Sequence, residues 1–469
     1  MAIRHAVAFL CRSHAKEGTN TVETTETVVS VASVGAVAGT PGTNAVDDPN
    51  PNSPPPSLPP PLLPPPLWRN RDYLLLWFGQ MVSSFGTQAS GLALPLLILA
   101  VTGSPMQAGI AGGLRGAAYL LFGLPAGALV DRWNRRAVLV ASDTLRAVAL
   151  GSIPVALLLG NLTAVHLYAV SFVEGTLFIF FGLAETASLA RVVPKRQLPV
   201  AVAQGQAVDS LSTMGGPPLG GALFGIAPAL PFVVDALSYL VSVLAILGIR
   251  TPLTGERVAA RRNLRAEIGA GIAWLRGQRE VSALIGINGA VNLLYGGWSL
   301  LLIALVQQRG ADPTTIGLIF TAGGVGSLIG VALSAPIQRR FTVGQIIIFM
   351  AWFFAVTWPP YALVETPFAL GVVNAVGFLF VPVYVGTLFA YRLVLTPDAL
   401  QGRVNSVSRL VTFGAQSLGF VLYGWLIESY GPVATVWITF VPAVLVAAAT
   451  TLNGVVRRAP RIAHATVGG

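Results

Sequence analysis

Apolar residues in this chain come in long, nearly uninterrupted stretches rather than in the narrow stripes of a water-facing fold. Stretches near residues 73–101, 105–130, 137–160, 164–190, 201–226 and 228–249 are each long enough to cross a bilayer, which takes roughly 20 apolar residues in a helix. A second set follows near residues 281–305, 313–336, 343–364, 366–392, 403–426 and 431–453. The pattern predicts an all-α integral membrane protein with twelve transmembrane helices.

Composition supports this and removes alternatives. Of 469 residues 54% are hydrophobic and only 10% charged, with a mean hydropathy of +0.70, too apolar for a water-soluble domain. The 51 glycines allow close helix approach. Cys11 is the single cysteine and the four histidines are scattered, so neither an internal disulfide nor a metal site is expected. A net charge of +10 would suggest nucleic acid in a soluble protein. Here the basic residues sort by side: Arg69 and Arg71, Arg132 to Arg136, Arg191 to Arg196, Arg250 to Arg279, Arg339 and Arg340, Arg392 and Arg403, and Arg457 to Arg461 all fall on one face of a twelve-span arrangement. The opposite loops hold Arg309 alone. The excess of arginine in cytoplasmic loops then predicts a multi-pass protein of the cell membrane with both termini cytoplasmic, and no nucleic-acid partner. No Walker-type phosphate loop and no Gly-any-Ser-any-Gly elbow occurs, so neither an enzyme nor ATP-driven transport is expected.

Residues 1–67 are rich in Thr, Val, Ala and Pro, a composition that cannot build a packed core, and are expected to be a disordered tail. The apolar stretch Ala6 to Cys11 is too short for the hydrophobic region of a signal peptide. Residues 68–249 form a first six-helix bundle, 250–280 a cytoplasmic linker, 281–456 a second bundle and 457–469 a cytoplasmic tail. Within the linker Ile268, Ile272 and Leu275 lie at helical spacing beside charges, predicting a helix along the membrane surface. The halves echo each other. ALVDRWNRR (Ala128 to Arg136) aligns without gaps to ALSAPIQRR (Ala332 to Arg340), and Pro194 to Leu198 with Leu219-Gly220 echo Pro397 to Leu400 with Leu418-Gly419. Parallel half repeats fit a two-bundle transporter whose midplane site opens alternately to each side.

Between the second and third stretches lies GALVDRWNRR, Gly127 to Arg136, which puts Asp131, Arg132, Arg135 and Arg136 at headgroup level, where charges are affordable. The run resembles the loop between helices 2 and 3 of the major facilitator superfamily. Gly127, Leu129, Asp131, Arg132, Arg135 and Arg136 match, and Asn134 stands for the second glycine as a residue tolerant of a left-handed turn. The expectation is a gating latch of salt bridges or helix-end contacts, with Asp143 and Arg146, three apart on helix 3, joining it. Simple orientation of the loop accounts for the arginines but not for Asp131.

GGPPLGG, Gly215 to Gly221, resembles the antiporter motif of the same superfamily at Gly216, Pro217, Gly220 and Gly221. The resemblance implies proton-coupled export. The alternative is a bend from Pro217 and Pro218 that serves helix packing alone.

Ionisable residues deep in a membrane are costly and mark candidate proton or substrate sites. Arg115, Glu174, Asp209 and Asp235 qualify. In the superfamily fold helices 1, 4, 7 and 10 line the cavity, which implies that Glu174 faces it as the first proton-site candidate, with Arg115 as its partner, whereas helix 6, carrying Asp235, packs outward. Gln80, Ser84 and Gln88 on helix 1, Asn288, Asn292, Tyr295 and Trp298 on helix 7, and Asn374 and Tyr384 on helix 10 are candidate cavity lining, or polar glue between helices.

TGSP, VPKRQL, VDALSYL and LQGRVNS, with the two motifs above, resemble the superfamily branch of macrolide, multidrug and siderophore exporters over residues 69–456. That resemblance implies two six-helix pseudo-repeat bundles and proton antiport of a hydrophobic or amphipathic small molecule. The expected partners are substrate, protons and lipid bilayer, a monomeric chain is expected, and so is the absence of any cofactor beyond the proton gradient. A facilitator or importer of the same fold, and a non-transporting sensor or scaffold, remain as alternatives.

Overall fold

The structure, a computed structural model, describes residues 66–123, 125–253, 269 and 273–461. The predicted tail up to residue 65 and most of the linker, including Ile268 and Ile272, lie outside them. Long helices follow the apolar stretches because lipid offers backbone N–H and C=O groups no other partner.

The first half runs through α1 (Arg71–Thr102), α2 (Pro105–Phe122), α3 (Pro125–Arg132), α4 (Arg135–Leu158), α5 (Ala164–Val192), α6 (Leu198–Ile226) and α7 (Leu230–Leu247). The second comprises α8 (Arg279–Tyr295), α9 (Trp298–Gln308), α10 (Pro313–Arg340), α11 (Val343–Thr357), α12 (Pro360–Leu363), α13 (Pro367–Phe378), α14 (Val381–Leu395), α15 (Asp398–Tyr430), α16 (Pro432–Leu452) and α17 (Gly454–Arg458). Short polar side chains at the starts accept the free N–H groups of a first turn. Asn70 caps α1, Ser104 α2, Thr163 α5, Asp312 α10 and Thr366 α13, and Thr342 with Gln345 makes a reciprocal capping box on α11. Asn134 corrects the sequence expectation. Its φ is −69°, not left-handed, and it caps α4 by accepting the Arg136 N–H at 3.0 Å.

Four predicted spans are broken. The second bends by 60° between α2 and α3, where Pro125 opens the new helix. The seventh breaks at Gly296 and Gly297, the ninth before Pro360 and the tenth ahead of Pro382. Each break sits where proline removes an N–H or glycine lowers helix propensity. Pro217 and Pro218, by contrast, lie inside an unbroken α6.

Among the described residues ten helices are long and apolar enough to cross a membrane, or eleven when α2 and α3 count as one bent span. The remaining expected crossing, α6, has 29 residues. Its first half carries Gln204, Gln206, Asp209, Ser210, Ser212 and Thr213, which keeps it outside that apolar set.

In the first half α1 packs on α6 and α7, α4 on α5 and α7, and α2 on α5; in the second, α8 packs on α15, α10 on α13 and α11 on α16. The halves meet along α2 with α15 and α6 with α10. That exchange is reciprocal, second span against fifth in both directions, as related repeats require. Small residues make it possible. A Cβ on Gly424 would meet the Pro105 carbonyl oxygen at 2.8 Å, and one on Gly317 the Pro217 carbonyl oxygen at 2.6 Å. Residues 273–277 are helical, and Leu275 is buried against Val281, Ile285 and Val404, because a third apolar surface is offered by α8 and α15.

Candidate functional site

Where α1, α2, α5, α9 and α15 converge they leave a cavity of about 510 Å³, walled by Phe178, Phe413 and Phe420 with Arg115, Glu185 and Arg409 as its charged groups. A second cavity of about 380 Å³ shares Gly91, Pro95, Arg115 and Ser299 with it and extends to Gln88, Thr213, Trp298 and Asn374. A third, about 200 Å³, lies in the second half among Asn288, Asn292, Tyr295, Trp298 and Tyr384. Trp298 belongs to the second and third cavities and Gln416 to the first and third, so the three adjoin.

Arg115 sits at the junction because Gly175 lets α5 approach the α2 backbone at that residue. Its guanidinium reaches the Glu174 carboxylate at 3.7 Å. Glu174 itself is 4% exposed and lines none of these cavities. This corrects the expectation that it faces the centre, and the physical reason is a stronger partner. Arg146 donates to both its oxygens, from Nε to Oε2 at 3.0 Å and from a terminal nitrogen to Oε1 at 2.6 Å, and the Tyr239 hydroxyl adds a bond at 3.1 Å. A two-point guanidinium–carboxylate pair is strong and directional. The Tyr239 ring lies under the guanidinium, 4.1 Å from its centroid, a cation–π contact.

Arg146 and Asp143 are therefore not part of the loop latch. Both point inward from α4, 2% and 0% exposed, and pair with each other at 3.6 Å. Asp235 is wholly buried between α7 and α1, taking the Ser238 hydroxyl at 3.2 Å and the Ser90 hydroxyl. Gly86 makes room for it. Asp209 is exposed on α6.

Residues 65–464 match the transmembrane secretion effector family. The chain belongs to that family, within the major facilitator superfamily. It is thus a multi-pass membrane transporter for small molecules, not an enzyme family member. Relatives of this chain include the multidrug efflux pump Tap of Mycolicibacterium fortuitum, 27% identical over 79% of this chain and 93% of that one. The macrolide efflux protein A of Streptococcus pyogenes is 25% identical over 78% of this chain and 91% of the other. Solved structures agree on the fold. The nucleoside transporter NupG has a TM-score of 0.65 at 13% identity, covering 81% of this chain and 98% of its own. A bacterial homologue of the iron transporter ferroportin, in an inward-facing state, scores 0.64 at 18% identity over 81% and 98%.

The superfamily motifs in this secretion effector now have positions. In the loop run Asp131 is 4.0 Å from Arg135. Arg135 also donates to the Ala187 carbonyl at 3.2 Å, Arg136 donates to the Ile249 carbonyl, and Trp133 stacks on Phe180. These contacts all stay within the first half. Arg132 is exposed, and nothing stands within 4 Å of a Cβ placed on Gly127. The antiporter run lies at the contact between halves. Cβ atoms on Gly216 and Gly220 would run into Gln88 and Ala89 of α1, and one on Gly221 into Pro313 of α10.

The expected lining divides. Gln88, Asn288, Asn292, Tyr295, Trp298, Asn374 and Tyr384 reach a cavity, but Gln80 and Ser84 bond each other at 3.4 Å and line none of the three. Asn374 is already engaged, donating to the Ile319 carbonyl at 2.8 Å and accepting from Tyr361 at 3.0 Å. Sequence reasoning missed Glu185 and Arg409. Both lie near span ends, where a charge reads as an interfacial residue, and only the packing of α5 and α15 turns them to the cavity.

Proposed function

We propose that this chain exports a hydrophobic or amphipathic small molecule by proton antiport, its two six-helix halves rocking about the joined cavities with both termini in the cytoplasm and α6 as the twelfth crossing. The observation that carries this reading is Arg115, which lines the first and second of the adjoining cavities and at the same time reaches Glu174 in a buried ion cluster. One side chain thereby senses both substrate space and a set of acids able to hold a proton. The aromatic walls suit an organic molecule better than an inorganic ion. The efflux pumps among its relatives support the outward direction. The glycine contacts at Pro105 and Pro313 close one end, the end of the loops poor in basic residues, which corresponds to a state open toward the cytoplasm.

Inside-out vesicles with an acidified lumen test the proposal. Wild type is expected to accumulate radiolabelled erythromycin, to lose accumulation when a protonophore is added, and to lose it in Glu174→Gln. Equilibration without accumulation would make the protein a facilitator. No movement of erythromycin or of any compound in a drug panel would favour a sensor or scaffold. Accumulation by Glu174→Gln equal to wild type would remove that residue from coupling.

A further inference from the structure

The buried cluster of the first half contains three acids, Asp143, Glu174 and Asp235, and a single buried cation, Arg146. Arg115 adds a second cation from the cavity side. Were all three acids ionised, the two guanidinium groups would leave one carboxylate uncompensated in a membrane interior, where burial of an unpaired charge drives neutralisation. At least one acid therefore carries a proton.

Geometry distinguishes among them. Glu174 has three donated hydrogen bonds, two of them from Arg146. Asp235 has two serine hydroxyls. Asp143 is 0% exposed, and neither of its oxygens accepts a hydrogen bond. The Arg146 guanidinium lies 3.6 Å away, and the Ser242 hydroxyl of α7 faces the same carboxyl. A carboxylate would leave two buried acceptors unmet, while a carboxylic acid brings its own donor, for which the Ser242 oxygen is an available acceptor.

We propose that Asp143 is the proton-binding site of this transporter, and that Arg146 is a two-position switch shared between Asp143 and Glu174. In the present state Arg146 clamps Glu174 and Asp143 holds the proton. In the alternative state the O–H bond at Asp143 breaks, an O–H bond forms at Glu174, and the guanidinium, 3.6 Å from Asp143, follows the negative charge. The cluster's net charge is unchanged. Glu174, released from Arg146 and next to Arg115, then passes its proton to the cavity as Arg115 engages substrate. Around Asp143 the other titratable or charged groups are Arg146 on its own helix, Glu174 and Glu185 on α5, Asp235 and Tyr239 on α7 and Arg115 on α2. From α1 the cluster receives only the hydroxyls of Thr87 and Ser90. Asp235 holds its serines and has no ion pair with Arg146, so it takes no part in the exchange.

The inference rests on the antiport reading but is testable apart from it. Infrared difference spectra of the full chain in detergent, without substrate, are expected to show a carboxylic acid C=O band near neutral pH. That band should vanish in Asp143→Asn and persist in Asp235→Asn, and Asp143→Glu should restore a shifted one. A band insensitive to Asp143→Asn, or absent from wild type, overturns the assignment. In vesicles Asp143→Asn is expected to lose proton-driven transport of labelled erythromycin. Uphill accumulation should fall by at least about ten-fold, the scale of losing a positioned proton carrier. Uphill accumulation by Asp143→Asn with the pH profile of wild type overturns the role. If wild type itself accumulates nothing, the antiport reading fails while the infrared assignment still stands or falls on its own band.

Discussion

The Glu428 carboxylate on α15 accepts the Met106 backbone N–H of α2 at 2.9 Å and the Ser104 hydroxyl beside it. Glu428 belongs to the second half and Met106 to the first, so an acid of one half satisfies and complements the positive N-terminus of a helix in the other. Separation of the halves at that end would break the bond. Glu428→Ala is expected to favour opening there by about 0.5–2 kcal/mol, the usual range for loss of an N-terminal cap, or roughly two- to thirty-fold in population. With Cys11 replaced, Ser299→Cys in the cavity reports this as faster reaction with an impermeant maleimide added from outside. An unchanged rate would mean that Glu428 does not hold the closed end.

Glycines of the two motifs are expected to behave oppositely. Gly220→Val pushes a branched side chain into the Ala89 backbone, and overpacking of this kind costs about 1–3 kcal/mol. Gly127→Ala meets nothing within 4 Å, and helix propensity favours alanine by about 1 kcal/mol. Thermal unfolding in detergent should therefore fall for the first and hold or rise for the second. A tolerated Gly220→Val would argue against tight contact between α6 and α1.

Two buried donors at the third cavity, the Trp298 indole N–H and the Tyr384 hydroxyl, have no hydrogen-bond partner. Removing an unsatisfied polar group while keeping its shape costs little stability and sometimes adds to it. Tyr384→Phe is expected to leave thermal unfolding unchanged or raised. A ligand carrying carbonyl acceptors, such as erythromycin, should bind about three- to ten-fold more weakly, the value of one hydrogen bond. Lower stability together with unchanged binding would assign the hydroxyl to packing instead.

Asp312 offers a pH test at the closed end. Hydrogen bonds from Thr315, whose backbone N–H lies at 3.2 Å, hold the Asp312 carboxyl below its usual 3.8 against a small opposing effect of burial. A lowered value means that the folded state prefers the ionised form. The cap's stabilisation is full above 3.8 and is lost as pH falls through the lower folded value. Asp312→Asn keeps a cap and should flatten this acid limb of the stability curve, whereas Asp312→Ala should lower stability at neutral pH as well, by about 0.5–2 kcal/mol.

Much of this architecture could be read from the chain because membrane spans depend on local apolarity and caps on the side chain just before a helix. Ser104, Thr163, Asp312 and Thr342 all stand where their short side chains cap the first turn. What could not be read is which face of an apolar helix turns inward. A helix surrounded by lipid or by other apolar helices lacks the polar stripe that marks orientation in water. Arg146 was therefore grouped with the loop eleven positions before it, at Arg135, when its partner is Glu174, 28 residues ahead on α5. Glu185, close to the end of its span, reads as an interfacial charge for the same reason. Prolines stand at three of the four helix breaks, Pro125, Pro360 and Pro382, while Pro217 and Pro218 lie inside an unbroken helix.

Every buried carboxylate and buried guanidinium among the described residues, Asp143, Arg146, Glu174 and Asp235, belongs to the first half of the chain. Arg409 apart, the second half meets the cavities with uncharged side chains, among them amides, an indole and phenols. Its walls can drift by mutation from one cargo to another without disturbing the acids and arginines next door, so a lineage built on this plan can broaden what it expels while its engine stays the same.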